Sequence, residues 1–169
     1  MKKPVVGKAS PAAVALLRQA TALAPKRLKA SDGLLPSAAH LKTNPDSDHN
    51  TGLAVDLTHD PHKGIDCGDI FDRLKADKRV SYLIFSGRIW SKERGERAYE
   101  GQNKHVKHLH ISIKEEHKKD TSPWFPWLEK PTYKTADAAR IAYSKLKKPK
   151  KQAGECTCVH CPVHKKGKK

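Results

Sequence analysis

A lysine-rich segment at the carboxyl end places the tightest limit on what this chain can fold into. Residues 145–169 contain nine lysines and one acid, Glu155, so this segment carries +8 of the chain's net charge of +16. Prolines and glycines interrupt it, and a segment of this composition cannot pack a hydrophobic core. We therefore predict a folded domain over residues 1–144 and a flexible basic tail over residues 145–169.

The first 144 residues suit one small domain of mixed helices and strands. Hydrophobic residues make up 37% of the chain and aromatic residues only 6%, which supports a single modest core. The periodicity and the turn residues predict helices over residues 10–25, 66–78 and 135–146, a loop over residues 25–50, and strands over residues 53–58, 82–85, 88–90 and 108–113. We expect an α+β domain with a small antiparallel sheet and flanking helices.

The sequence contains neither a membrane span nor a secretory signal by the usual criteria. No stretch approaches the ~18 consecutive apolar residues that a membrane helix needs. The start of the chain is basic, but Lys8, Ser10 and Pro11 interrupt what would be the apolar part of a signal peptide. We therefore expect a soluble protein that does not export itself by that route.

Three histidines and one aspartate carry the strongest chemical signal. His108 and His110 are two residues apart on a predicted strand, so both side chains point to the same face. Asp56 lies on another predicted strand, and His49 precedes it by seven residues, across a short turn. Two imidazoles and one carboxylate suit a catalytic zinc site, which uses three protein ligands and leaves a fourth position for water. The spacing alone leaves an ordinary surface arrangement of these side chains equally open.

Two motifs resemble those of a known enzyme group. Residues 47–56, SDHNTGLAVD, match the S-x-H-x-x-G-x-A-x-D signature of the LAS zinc peptidases, which include D-Ala-D-Ala carboxypeptidases, lysostaphin-type enzymes and penicillin-insensitive murein endopeptidases. Residues 108–110, HLH, match the second signature of the group, H-x-H, in the expected order. The region from residue 27 to residue 113 resembles small peptidoglycan-hydrolase-like proteins of bacteriophages and prophages. We therefore expect the antiparallel sheet and its helices to surround a zinc cleft.

The resemblance implies a role for each motif residue. His49, Asp56 and His110 would bind one zinc ion (Zn2+), and His108 would act as the acid–base or substrate-orienting group. Many carboxypeptidases of the group carry a catalytic glutamate three residues before the last zinc histidine, and here that position is Lys107. We therefore assign the base to His108.

Other residues are candidates for parts of the chemistry. Glu100 and Asp48 are weaker alternatives for the catalytic base. Arg88, on a predicted strand between the two motifs, is a candidate for stabilising the negative charge of a tetrahedral oxyanion. An arginine at the surface, or one paired with a structural carboxylate, is an equally good interpretation of Arg88.

Taken together, these expectations describe a zinc-dependent peptidoglycan peptidase, endolysin-like or virion-associated. It would hydrolyse an amide bond in the stem peptide of the bacterial cell wall, as a carboxypeptidase or an endopeptidase. It would be made in the host cytoplasm without a signal peptide and act on the wall after release or from the virion, while the basic tail binds anionic wall polymers. The alternative is a protein that binds cell wall or nucleic acid and has an inactive peptidase-like fold.

The tail has a cysteine and histidine cluster of its own. Cys156, Cys158, Cys161 and His164 provide three sulfurs and one nitrogen, which are enough for a closed structural zinc site. A tail without structure, with its thiols reduced, is the competing interpretation. The remaining Cys67 is expected to be a small buried residue.

The other aromatic and histidine residues are expected to serve the fold. Trp124, Phe125 and Trp127 are predicted to cover the edge of the core. His40 and His105 are interpreted as loop residues that could line the rim of a cleft.

Overall fold

The computed structural model describes residues 7–128. All of these residues belong to one unit, residues 1–130. The helix predicted over residues 135–146, the boundary at residue 144 and the tail cluster of Cys156, Cys158, Cys161 and His164 lie outside the described residues.

The described part of the chain contains three α-helices and five strands, and four of the strands follow the third helix in succession. The helices are α1 (Pro11–Leu23), α2 (Ala38–Thr43) and α3 (Cys67–Leu74). The strands are β1 (Ala54–Thr58), β2 (Val80–Phe85), β3 (Arg88–Ser91), β4 (Gly95–Ala98) and β5 (His108–Ile113). All five strands pair antiparallel in one sheet, in the order β1-β5-β2-β3-β4. This architecture confirms the predicted α+β class with a small antiparallel sheet.

The caps of the two longer helices explain where they start. The Ser10 side chain accepts a hydrogen bond from the backbone N–H of Ala13, and Pro11 occupies the first turn of α1. The Asp66 side chain likewise accepts from the backbone of Gly68 and Asp69 at the start of α3. Both signals are local in the sequence, which is why both helix starts could be predicted.

One face of the sheet packs in the core, and the other face carries the candidate site. Residues directly opposite each other in an antiparallel pair share a face. The helical face packs against α1 and α3, and its buried strand residues are Val55, Leu57, Val80, Leu83, Phe85, Leu109, Ile111 and Ile113. Trp124 and Phe125 are buried in the same cluster and Trp127 packs against it, as predicted. The other face carries Asp56 and His110, so the core and the candidate site use alternate residues of the same strands.

Two elements and the end of α3 show the largest differences from the sequence prediction. Helix α2 lies in the segment that was predicted as loop, and it has no buried residue that would produce a hydrophobic pattern. Strand β4 was not predicted, because all four of its residues are exposed at the sheet edge. Helix α3 ends at Leu74 rather than at residue 78, since the chain turns there to enter β2. None of the helices described between residues 7 and 128 has the length and hydropathy needed to cross a membrane.

Candidate metal centre

His49, Asp56 and His110 converge on the face of the sheet opposite the helices. Each of them offers one ligand atom, and these three atoms lie within 4.8 Å of one another. His49 Nε2 is 3.3 Å from Asp56 Oδ2, and His110 Nδ1 is 3.0 Å from Asp56 Oδ1. Only 4% of His49 and 6% of His110 are exposed. This buried group could hold a metal ion.

Different local structures place the three side chains. Asp56 and His110 are direct partners across the β1–β5 ladder. His49 lies in a 3₁₀ helix, Asp48–Thr51, whose first turn is capped by the Ser47 side chain. That helix ends at Gly52, whose φ of 69° is in the left-handed region that glycine tolerates best. The serine and the glycine of the motif therefore shape the turn that carries the histidine.

Gly33 makes close contact with the Asp56 carboxylate from the outer side of β1. Gly33 and Asp56 exchange two backbone hydrogen bonds, of 3.0 and 2.8 Å. A Cβ atom at position 33 would lie 3.2 Å from Asp56 Oδ2, closer than an ordinary van der Waals contact. A side chain there would push against the carboxylate, so glycine leaves room for the aspartate beside the two histidines.

The electrostatics of the group favour an ionised aspartate. Burial alone would raise the pKa of Asp56, but the hydrogen bonds and positive charge of His110 and His49 outweigh burial and hold that pKa well below its usual range. Burial likewise tends to lower the pKa of His49, and the hydrogen bond with Asp56 outweighs it, so the pKa is raised. Two imidazoles thus keep a carboxylate charged in a buried place, as a metal site requires.

His108 lies beside the triad rather than within it. Its Nε2 is 3.7 Å from Asp56 Oδ1, and its ring lines the same cleft as the triad. Burial lowers the pKa of His108, the Asp56 charge opposes this, and the neighbouring His110 and His49 add to the lowering. The structure therefore brings His108 and His110 to one face, as their spacing predicted, and leaves His108 mainly neutral at pH 7.

The triad opens into a cleft of about 810 Å³. One wall comes from residues 40–47 and the other from residues 99–105, while Tyr82 and Ile84 of β2 contribute to its floor. The volume lies within the ~300–1,000 Å³ range of ligand sites in proteins. The cleft is large enough for several residues of an extended substrate.

Two histidines that were interpreted as loop residues able to line the rim of a cleft do line it, although His40 lies in α2 rather than in a loop. The His40 ring stands edge-on to His49 at a centroid distance of 5.6 Å, and the His105 ring stands edge-on to His108 at 5.0 Å. His105 has a φ of 52°, which is unusual for a residue other than glycine. Burial and the charges of His110 and His108 lower the pKa of His105 to about 4. No spacing signal in the sequence could have found these two rings, because their places depend on the positions of α2 and of the loop of residues 99–105.

Arg88 is not brought to the site. It pairs across the ladder with Phe85, so it lies on the helical face of the sheet, away from His110. Its guanidinium is 3.2 Å from Glu96 and packs over the ring of Phe71. Arg88 thus pairs with a carboxylate and covers the core, and we assign it no part in stabilising an oxyanion.

The two alternative bases are also displaced from the cleft. Asp48 is buried, and its carboxylate accepts a hydrogen bond from Ser112 behind the triad. Glu100 is exposed and does not line the cleft. Among the residues described, His108 is therefore the best-placed general base of the three candidates.

The remaining polar residues near β1 have structural partners. His59 Nδ1 accepts a hydrogen bond from the backbone of Cys67, and the Asp60 carboxylate accepts one from the backbone of Leu28. Cys67 is fully buried, as predicted, and burial raises the pKa of its thiol to about 12. Within residues 7–128, the triad is the one group of three or more such side chains with ligand atoms close enough for a metal.

No family model matches this chain, and neither a curated protein nor a solved structure matches it. The case for a function therefore rests on the geometry of the site and on the resemblance of its two motifs.

Proposed function

We propose that this protein is a zinc-dependent peptidoglycan peptidase that hydrolyses an amide bond of the stem peptide in the bacterial cell wall. One observation carries the proposal. Three side chains that could hold a metal share a cleft with a fourth, His108, that is not needed as a ligand. A site that only bound a metal for stability would be closed by a fourth ligand, whereas catalytic zinc sites keep three protein ligands and an open position.

The donor set favours zinc. Two imidazole nitrogens and one carboxylate oxygen are ligands that zinc accepts, whereas calcium and magnesium prefer a shell made of oxygen atoms. A zinc ion in this place supplies an activated water molecule near neutral pH and polarises a carbonyl group.

His108 is the residue that handles protons. Since its pKa is lowered, its neutral ring is the main form at pH 7 and can accept a proton from the attacking water. The same ring can pass that proton to the nitrogen of the leaving amine when the carbon–nitrogen bond breaks. One residue thus serves both steps, and the Lys107 position needs no acid.

The walls of the cleft suit a peptide. They present neutral hydrogen-bonding groups that match the amides of a peptide backbone, contributed by Thr43, Asn44, Ser47, Gln102 and Asn103. The assignment to peptidoglycan rests on the motif resemblance. The net charge of +16 suits a wall that carries anionic polymers, and the tail would contribute half of that attraction. Action after release from a host cell, or from a virion, follows from the same resemblance.

The proposal is tested by mass analysis of purified peptidoglycan digested with the zinc-loaded full-length chain. Hydrolysis should produce fragments that have gained one water per bond broken, and the position of the new termini distinguishes a carboxypeptidase from an endopeptidase. The matched control is Asp56→Asn, which keeps the shape of the side chain and removes the charge. Intact muropeptides after digestion with zinc-loaded protein would refute the peptidase proposal.

The runner-up is a cell-wall or nucleic-acid binding protein with an inactive fold of this kind. The observation in its favour is the concentration of +8 in residues 145–169. Co-sedimentation with walls, and salt-dependent binding to DNA, distinguish its two forms. Neither form of this binding protein needs a complete metal triad beside His108, so we rank the binding function second.

A further inference from the structure

The nitrogen of His110 that faces away from the triad also has a fixed partner. His110 Nε2 lies 3.4 Å from the Tyr82 hydroxyl, while Nδ1 faces Asp56. The two rings stack, with centroids 5.5 Å apart and planes inclined by 23°. Tyr82 therefore contacts His110 in two ways: its ring stacks on the imidazole, and its hydroxyl lies at Nε2.

Tyr82 is itself tied to a buried carboxylate. It is the ladder partner of Ser112, and the Tyr82 and Ser112 hydroxyls both hydrogen-bond to Asp48. Asp48 is only 8% exposed and directly precedes His49 in the chain. The three residues thus connect the 3₁₀ helix that carries one ligand to the strand that carries another.

The direction of the protons in this chain follows from the donor and acceptor rules. An ionised carboxylate can only accept, so the Tyr82 hydroxyl donates to Asp48. The Tyr82 oxygen is then free to accept the Nε2–H of His110. In the metal-free site Nδ1–H donates to Asp56. With the other proton held on Nε2, loss of the Nδ1 proton leaves the lone pair of Nδ1 for a metal ion.

We infer that Tyr82 and Asp48 are positioning residues that fix His110 in the tautomer and orientation needed for metal binding. The inference rests on the proposed function only in taking zinc as the metal. Partners of this kind, behind the ligands, typically contribute ~10- to 100-fold in metal affinity.

The other ligand histidine is oriented by different means. His49 Nδ1 lies 3.3 Å from the backbone carbonyl of Leu34, which leaves Nε2 facing Asp56. A carbonyl oxygen accepts only, so Nδ1–H donates to it and Nε2 is the nitrogen left for a metal. Each imidazole of the triad therefore has one nitrogen for the metal and one that faces a fixed acceptor. Only the acceptor at His110 is a side chain, so only that acceptor can be removed by a single substitution.

The test measures zinc affinity and the state of the His110 ring in the full-length protein labelled with 15N. In the zinc-loaded wild type, His110 should bind zinc through Nδ1 and show an Nε2–H signal that exchanges slowly with solvent. Tyr82→Phe removes only the hydroxyl. It should speed that exchange and weaken zinc binding at this site ~10- to 100-fold, followed through the His110 signals during a zinc titration.

Two controls separate positioning from general structure. Tyr99→Phe makes the same change at the other tyrosine of the cleft, which has no hydrogen bond to a ligand, and should leave the His110 signals unchanged. Ser112→Ala removes a hydrogen bond to the same Asp48 carboxylate and should lower stability without changing the protonated nitrogen of His110.

Two results overturn the inference. One is an unchanged zinc affinity in folded Tyr82→Phe, and the other is a wild-type His110 that binds zinc through Nε2. The second measurement needs no variant, so it holds even where Tyr82→Phe fails to fold. If the ring behaves as expected and peptidoglycan is not cut, the proposed function fails and the positioning role stands. If peptidoglycan is cut and the ring does not respond, only the positioning role fails.

Discussion

Asp56 and His110 face each other across the β1–β5 ladder, and Asp56 Oδ1 lies 3.0 Å from His110 Nδ1. The separation of these two ligands is therefore set by the pairing of adjacent strands rather than by a loop. His49 approaches from a capped 3₁₀ helix and completes the group. A site built on paired strands is held in place before any metal arrives, which lowers the ordering cost of binding.

The first prediction concerns metal content. The full-length chain with Cys156, Cys158 and Cys161 replaced by serine should bind about one equivalent of zinc, as expected for a single catalytic site. His49→Ala, Asp56→Asn and His110→Ala in that background should each abolish tight binding. The measurement is elemental analysis after dialysis, with circular dichroism to show that the fold is intact. Zinc retained by a folded triad variant would contradict the ligand assignment.

The second prediction separates binding from turnover. His108→Ala should keep its zinc and lose ~100- to 10,000-fold in turnover of muropeptides, because a general acid–base residue contributes about that much. The control is His62→Ala, an exposed histidine that does not line the cleft. A wild-type rate in His108→Ala would move the base to another group.

The sequence reveals those parts of the site that follow a local rule. His108 and His110 share a face because residues two apart on a strand always do, and the caps at Ser10 and Asp66 are local as well. The cleft walls follow no such rule. His40 and His105 reach the site through α2 and through the loop of residues 99–105, and their positions depend on contacts distant in sequence.

Arg88 shows the limit of reasoning from position alone. It lies on a strand between the two motifs, but the face it occupies depends on register, and its ladder partner Phe85 points into the core. A one-residue shift would have turned Arg88 toward the cleft. Strand β4 was missed for a related reason. An exposed edge strand buries no side chain, so its sequence shows no alternation of apolar and polar residues.

The third prediction follows from the observed place of Arg88. Arg88→Ala should lower the free energy of unfolding by about 1 kcal/mol, through loss of packing over Phe71 and of a surface ion pair. Zinc content and turnover per folded molecule should stay at the wild-type values. Chemical denaturation and a muropeptide assay measure the two effects, and a selective loss of turnover would return Arg88 to the chemistry.

The fourth prediction concerns the segment that supports Asp56. Arg27 is only 5% exposed and donates hydrogen bonds of 2.9 and 2.5 Å to the two oxygens of Asp32. Asp32→Asn would leave the buried guanidinium without its counter-charge and should cost about 3–5 kcal/mol of stability. The control is Asp69→Asn, which breaks an exposed pair with Arg73 and should cost about 0–1 kcal/mol.

The stability that Asp32 contributes should also depend on pH. Burial raises the pKa of Asp32, but the hydrogen bonds from Arg27 and Thr58 outweigh burial, and the pKa lies below its ordinary value of 3.8. The unfolded chain therefore takes up the proton first as the pH falls. The contribution is complete above the unfolded pKa and is lost as the pH drops through the folded one. Urea unfolding of the wild type and Asp32→Asn should converge below about pH 4; a constant difference down to pH 2 would contradict the pairing.

The fifth prediction concerns the basic tail. Residues 145–169 carry +8, which should raise affinity for anionic wall polymers without contributing to hydrolysis. A chain that ends at Ser144 should therefore match the full-length rate on a small soluble stem peptide and fall behind it on whole walls. The deficit should shrink as salt is added, because charges act over only ~8 Å at 0.15 M ionic strength.

The tail comparison needs a control that keeps its length. Replacing the nine lysines of residues 145–169 by glutamine removes the charge and preserves the cysteine and histidine cluster. If charge is the cause, this variant and the truncated chain should lose the same salt-sensitive share of activity on walls. If only the truncated chain loses activity, the cluster of Cys156, Cys158, Cys161 and His164 is the active part of the tail. A loss of soluble-peptide cleavage in the folded truncated chain would instead place the tail within the catalytic domain and move the boundary away from residue 144.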